Sequence, residues 1–220
     1  MAYTSRNMVL WSGGADSTVI LHDWATQIGS EEWPINAITF EHYLVNKEQE
    51  KHQKAARERY KIFAKERNLH IIYRNISVKS NIEPPVDSGI QQVLWACHMM
   101  PYFRNDDTIG FGYINDDDCN FWHYKKEFVD MINSYAKYRG ITLDVRFPLE
   151  FKKKIDIVYS LKNYGIPPDC IWTCETPHKG KPCGICHKCE DLATACLKAK
   201  QPISTDKKKP IRNFSKTLHW

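Results

Sequence analysis

Hydrophobic and polar positions alternate in blocks along this chain, and the period of the alternation changes from block to block. Met8 to Trp11 is a short apolar run, the length of a buried strand. From Ser17 to Ile28, Val19, Ile20 and Trp24 return at helical spacing. Pro34 then breaks the chain, and "INAITF" (Ile35 to Phe40) predicts a second strand. Lys47 to Arg67 predicts a long charged helix carrying Ala55, Ala56, Tyr60, Ile62 and Phe63 as its apolar positions. "HIIYRNI" (His70 to Ile76) predicts a third strand, and Ile90 to Phe103 a helix ended near Pro101. "TIGFG" (Thr108 to Gly112) is a glycine-weakened strand, followed by a helix over Lys125 to Tyr138. "LDVRF" (Leu143 to Phe147) is a fifth strand stopped by Pro148, and Lys153 to Tyr164 a further helix ended near Gly165.

Strands alternating with helices predict an α/β fold, a parallel sheet with helices on both faces. From Ile166 onward the text turns to Pro, Cys, Gly and Lys without strand periodicity. The expected organisation is an α/β domain over 1–165, a cysteine segment over 166–200 and a basic tail over 201–220. No internal repeat interrupts it.

The break inside the first βα unit carries the first chemistry. "VLWSGGADSTVIL" passes from strand to helix through Ser12, Gly13, Gly14, Ala15, Asp16, Ser17 and Thr18. In open α/β sheets ligands bind beyond the carboxyl ends of the strands. Glycines let the backbone approach a ligand, and amides at a helix N-terminus suit phosphate. Ser12, Ser17 and Thr18 add hydroxyls, and Asp16 is the candidate for Mg²⁺ bridged to phosphates. No Lys follows the glycines as a Walker A motif requires, and the third glycine of the dinucleotide fingerprint is missing. A plain helix cap by Asp16 or Ser17 is the competing reading.

The second chemistry is "WTCETPHKGKPCGICHKCEDLATAC", in which Cys174, Cys183, Cys186 and Cys189 are spaced C-x8-C-x2-C-x2-C. Four thiolates surround Zn²⁺ tetrahedrally in closed structural sites. His178 and His187 are substitute ligands that four cysteines make unnecessary. An iron–sulfur cluster is the competing metal, although its usual trailing Cys-Pro is missing. Cys97, Cys119, Cys170 and Cys196 read as packed thiols.

Composition changes the picture little. The net charge is +5, of which the last twenty residues hold +4, leaving +1 for the other 200. A body so close to neutral argues against a broad nucleic-acid surface. No apolar run reaches the roughly 18–20 residues of a membrane span, and "MAYTSRNMVL" lacks a signal-peptide h-region. Clustered cysteines without a secretory signal point to a reducing, cytoplasmic setting.

Ser-Gly-Gly-x-Asp-Ser resembles the PP-loop of the N-type ATP pyrophosphatases, whose fold is that of the adenine nucleotide alpha hydrolases. In that superfamily the loop holds the β- and γ-phosphates while a substrate oxygen attacks the α-phosphate. Followed by this cysteine spacing, the chain resembles the 7-cyano-7-deazaguanine synthase (QueC) family. "PLEFKKKIDIVYSLKNYGIPPDCIWTC" is similar to a third block of that family, with Lys154, Asp156, Ile157, Val158, Gly165, Pro167 and Cys174 in step.

The resemblance implies an ATP-dependent carbon–nitrogen ligase that converts 7-carboxy-7-deazaguanine and ammonia to a nitrile, with Zn, Mg and ATP as cofactors. It implies ATP contacts from residues 12–18, with adenine near Thr39 and Phe40, and catalytic roles for Asp16 and Lys154. The family often forms homodimers. Its substrate block aligns to "DDCNFWHYKKEF". There Asp117, Glu127 and Phe128 agree, while His123 replaces an Asp, Phe121 a Tyr and Lys125 an Arg. Asp117, Phe121 and His123 are the candidate deazapurine contacts. The readings kept beside this one are a related adenylating enzyme with a changed substrate or stopping at the amide, a tRNA-modifying PP-loop enzyme using Cys97 or Cys119, and a zinc module that binds nucleic acid without turnover.

Overall fold

The computed structural model describes residues 5–42, 47–78, 90–114 and 120–199. Five strands, β1 (Asn7–Leu10), β2 (Ile35–His42), β3 (Ile71–Val78), β4 (Asp107–Gly110) and β5 (Leu143–Arg146), form one sheet in the order β3-β2-β1-β4-β5. Every pairing is parallel; Val9 lies between Ala37 on β2 and Gly110 on β4. Parallel neighbours need crossovers, and α1 (Ala15–Gln27), α2 (Lys47–Glu66), α3 (Ile90–Met99) and α4 (Lys125–Tyr138) lie between successive strands. α5 (Lys154–Asn163) and α6 (His187–Lys198) follow the last strand.

Alternate residues of β1 serve opposite faces, as the strand period requires. Val9 joins a buried cluster with Leu21 of α1, Tyr60 of α2, Leu161 of α5 and Cys196 of α6. Met8 joins a second cluster with Ile38, Met99, Phe128 and Ile132, under α3 and α4. The sheet is therefore covered on both sides, as its pattern predicts. α1 shows why that cover is tight: nine of its thirteen residues are buried, so it is a core helix and not a half-wet one.

Two local expectations are corrected, and one helix is added. Ile62 is exposed, because the buried face of α2 runs through Ala56, Tyr60, Phe63 and Ala64, and Ile62 lies two residues, about 200°, round the helix from Tyr60. The third helix stops at Met99, and Met100–Tyr102 tightens into a 3₁₀ turn where Pro101 supplies no N–H. Beyond residue 165 the chain forms α6, whose Leu192, Ala193, Ala195 and Cys196 pack into the first cluster.

The connection from β3 to β4 reverses direction across β1, so the crevice beyond the carboxyl ends of β1 and β4 is the switch point. Gly112, just past β4, is pressed against the start of α1: a Cβ there would stand 3.1 Å from both N and Cα of Ser17.

His22 of α1 is buried, its Nδ1 3.2 Å from the Tyr60 hydroxyl and its ring 4.6 Å from that of Tyr164. Burial, aided by Arg67, lowers its pKa to about 4. Below about pH 6.5 the unfolded chain takes up a proton that the folded chain refuses. Stability should fall as pH drops from about 6.5 to 4, by up to about 3 kcal/mol from this residue. Urea unfolding across that window should show a shallower decline for His22→Gln than for the parent chain.

Candidate active site and metal centre

β1 hands over to α1 through a loop closed by its own side chains. Trp11 continues the pairing to β2, its N–H donating to the Ile38 carbonyl at 2.8 Å. Its indole N–H donates to Thr18 Oγ1 at 3.0 Å, and its carbonyl accepts from Thr39 Oγ1 at 2.8 Å. Ser12 Oγ accepts from the Gly14 N–H at 3.1 Å and lies 3.1 Å from Ser17 Oγ. Ser17 Oγ donates to the Gly14 carbonyl, which is also the helical acceptor for Thr18 N–H. Gly14 occupies the N-cap with extended backbone, so neither Asp16 nor Ser17 caps α1. Gly13 turns the chain at φ +87°. There a Cβ would meet Arg57 Cγ at 2.8 Å and the Gln53 carbonyl at 3.3 Å, so the position admits glycine on both conformation and space.

The predicted loop residues divide by exposure. Ser12 is exposed, and Gly14 and Asp16 are half-buried. Ala15, Ser17 and Thr18 are buried, as is Thr39, and the Thr18 and Thr39 hydroxyls are engaged with Trp11. Phe40 packs against the second core cluster, its ring 6.2 Å from that of His98.

Two cations reach this loop from elsewhere in the chain. Lys154, in the first turn of α5, is buried, and its ammonium donates to both Asp16 oxygens at 2.9 and 2.8 Å. α5 is held in place by Asp156, whose carboxylate accepts from the Lys153 N–H at 2.8 Å. Lys154 and Asp16 are thus brought together across 138 residues. Arg57, from α2, is 5% exposed and donates from Nη1 to the Ser12 carbonyl at 2.9 Å. Burial pulls its pKa below the ordinary value, with Glu41, Glu50 and Glu58 opposing. Sequence reasoning missed Arg57. The available signal was a basic residue three before Tyr60 and seven before Ala64, on the buried stripe of α2.

The four cysteines converge. Their sulfurs all lie within 4.8 Å of one another, and Cys174 and Cys189 are fully buried. Four sulfurs at about 2.3 Å from one ion stand ~3.8 Å apart, so a small contraction closes the shell on a single metal such as zinc. Iron–sulfur clusters spread their thiolates over separate irons, which fits this spacing less well. Gly184 (φ +74°) turns the chain between Cys183 and Cys186. The sulfurs already accept hydrogen bonds suited to thiolates: Cys183 N–H reaches Cys174 Sγ at 3.2 Å, and Cys186 N–H reaches Cys183 Sγ at 3.2 Å. Burial pushes the Cys183 thiol up, but donors from Thr176, Ile185 and Cys186 outweigh it and bring its pKa down to about 6. Neither histidine belongs to the cluster; His187 Nδ1 sits 3.0 Å from Asp191.

The cysteine segment is also fastened to the loop. Trp172 N–H donates to the Gly13 carbonyl at 2.9 Å, and its indole donates to the Cys174 carbonyl at 2.9 Å. Its ring stacks on His52 of α2 at 4.2 Å and 14°. Glu48 of α2 accepts from the Gly180 N–H at 2.6 Å.

The expected substrate block is only partly in view. Asp117 and Cys119 lie outside the described residues, as does the side chain of Phe121. His123 is exposed. Lys125 makes a two-pronged contact with Glu150 at 2.6 Å and lies 5.4 Å from the Trp122 ring centre and 5.1 Å from that of Phe147. Trp122 donates to the Ile114 carbonyl at 2.7 Å. Of the thiols read as packed, Cys170 and Cys196 are buried but Cys97 is exposed, since it falls beside the buried Ala96 on the outer side of α3.

A doubly wound parallel sheet, a glycine loop at its switch point and a four-cysteine cluster define an α/β protein with a candidate anion site and a candidate metal centre. Residues 96–200 match the model of the family described as queuosine biosynthesis protein QueC. The matched span runs from α3 through the cysteines to α6; the loop at 12–18 lies outside it. No curated protein matches the chain. Among the described residues no helix is long and apolar enough to cross a membrane.

Proposed function

We propose that the chain is an ATP-dependent enzyme of queuosine-type biosynthesis that converts 7-carboxy-7-deazaguanine and ammonia to 7-cyano-7-deazaguanine. The observation that carries the reading is the joining of loop, Lys154 and cysteine segment at one switch point: Asp16 to Lys154, and Gly13 to Trp172. The first amides of α1 and the Ser12 hydroxyl would receive the departing pyrophosphate, with Lys154 and Arg57 supplying positive charge behind the loop. A carboxylate offers about four lone-pair sites, so Asp16 can retain Lys154 and still face a Mg²⁺ bound to the phosphates. The four cysteines would hold zinc as a structural ion. In the reaction, a substrate carboxylate oxygen attacks the α-phosphorus and the bond to pyrophosphate breaks. Ammonia then displaces AMP to give the amide. The amide oxygen then attacks the α-phosphorus of a second ATP, releasing a second pyrophosphate, and loss of AMP and protons leaves the nitrile.

The working partners on this reading are a small deazapurine and ammonia, in a reducing cytoplasm, with a homodimer as the assembly and no nucleic acid. The exposure of His123, where the family pattern has an Asp, favours a second reading: the same activation applied to a different carboxylate, or halted at the amide. The test incubates zinc-loaded protein with ATP, Mg²⁺, ammonia and 7-carboxy-7-deazaguanine and follows products by mass spectrometry. Nitrile with AMP and pyrophosphate is expected. Amide alone would move the divergence to the second step, and ATP binding without AMP would overturn the substrate assignment.

A further inference from the structure

A cavity of about 640 Å³ opens on the α3 and α4 side of the sheet, away from the loop. Four arginines line it: Arg6 ahead of β1, Arg74 on β3, Arg104 ahead of β4 and Arg139 after α4. Arg6 and Arg104 mark the amino ends of strands whose carboxyl ends border the crevice at Ser12. None of residues 12–18 lines this cavity.

We propose that this cavity is a second ligand site, for a mononucleotide-like phosphate monoester. Four guanidinium groups and no carboxylate line it, although the whole chain carries 31 basic residues against 26 acidic ones. Guanidinium groups match phosphate oxygens in charge and fork geometry. Arg6, Arg74 and Arg139 show how these groups are held. Arg6 is clamped by Asp107, a fully buried carboxylate, through contacts of 3.1 Å from Nε and 2.6 Å from Nη2. Arg74 Nε donates to Asn36 Oδ1 at 2.9 Å, and Asn36 is itself buried. Arg139 donates to the Tyr135 hydroxyl at 2.9 Å. A guanidinium has five N–H donors, so the single anchors of Arg74 and Arg139 orient those forks and leave most of their donors to a ligand, while Arg6 spends three of its five on Asp107 and Tyr102. Such preorganisation reduces the ordering cost of binding.

The rest of the lining selects what the phosphate is attached to. Met8 from the sheet and Met99 and Phe103 from its cover are buried and apolar. At the cavity edge Tyr102 is 57% exposed, and its carbonyl is fixed by Arg6 Nη2 at 2.6 Å. A bare phosphate would leave the exposed Tyr102 ring in water. A planar base laid on that ring, beside a floor already closed by the methionines, would cover it. The volume falls in the range of about 300–1,000 Å³ typical of small-molecule sites.

The test uses full-length, metal-loaded protein labelled with ¹³C at its methionine methyls, with Met8 and Met99 assigned by Leu replacement. AMP is expected to move both resonances saturably, at concentrations at least about tenfold below those needed by adenosine or by inorganic phosphate. Arg74→Gln with Arg104→Gln should weaken AMP at least about tenfold at these two resonances, with Met131 on α4 reporting that the fold is intact. No saturable movement, or an affinity unchanged in the double variant, would overturn the site. Adenosine acting as tightly as AMP would overturn the anion assignment, and inorganic phosphate doing so would overturn the base.

Discussion

Replacing Lys154 by methionine should both loosen the fold and stop nucleotide activation. The ammonium lies within 2.9 Å of both Asp16 oxygens, with side-chain exposures of 9% and 24%. Breaking a buried pair by removing one partner costs about 3–5 kcal/mol. Water reaches a quarter of Asp16, so about 2 kcal/mol is the expected loss here. Asp16 sits in the first turn of α1, so its bare charge would stand where the proposed pyrophosphate arrives. AMP formation should then fall by about a hundredfold or more, the scale of losing one preorganised charge donor. Urea unfolding and AMP release read the two effects separately. Asp16→Asn added to Lys154→Met should recover about 1 kcal/mol of stability, because no uncompensated carboxylate remains, but should not recover activity. If Lys154→Met leaves both stability and AMP formation unchanged, the pair is incidental and the active-site reading loses one of its two cations.

How much of this was legible in the sequence differs by element. α4 begins and ends where its 3.6-residue pattern does, at Lys125 and Tyr138, because Phe128, Ile132 and Ala136 form a clean apolar stripe. α6 has the spacing too, at Cys189, Leu192, Ala193 and Cys196, but not the residue types that announce it. Its buried positions are Leu192, Ala193, Ala195 and two cysteines, small residues inside a metal motif. The loop and the cysteine quartet could be read from local spacing, since backbone turns and metal ligands impose fixed short intervals. The links between them could not. Arg57 to Ser12, Lys154 to Asp16 and Trp172 to Gly13 all join distant segments, and pairings of that kind are set by how the crossovers stack. The Trp172 contact was the least legible, because it runs through a backbone N–H that every non-proline residue has.

Those links make metal removal the largest perturbation this chain should show. Cys186 is the N-cap of α6, accepting from the Cys189 and Glu190 N–H groups at 2.8 and 3.0 Å. Stripping the ion would leave four thiols facing one another, two of them fully buried. Structural zinc contributes about 10–16 kcal/mol of apparent binding energy in small zinc domains. Here the sheet core would survive in part, so a loss of ~5 kcal/mol is the expectation, or roughly 10–20 °C in Tm for a chain of this size. The effect should also reach the loop by two routes. Trp172 lies two residues before Cys174 and holds the Gly13 carbonyl. α6 packs on α5, which carries Lys154 to Asp16. Chelated protein should therefore bind Mg-ATP at least about tenfold more weakly even below its lowered Tm, and Cys186→Ser should behave alike. Trp172→Ala separates the routes: it should keep one equivalent of zinc by metal analysis yet lose most of the same ATP affinity in calorimetry. Unchanged ATP binding in both the chelated protein and Trp172→Ala would mean the cysteine segment braces α6 alone, with no hold on the phosphate loop.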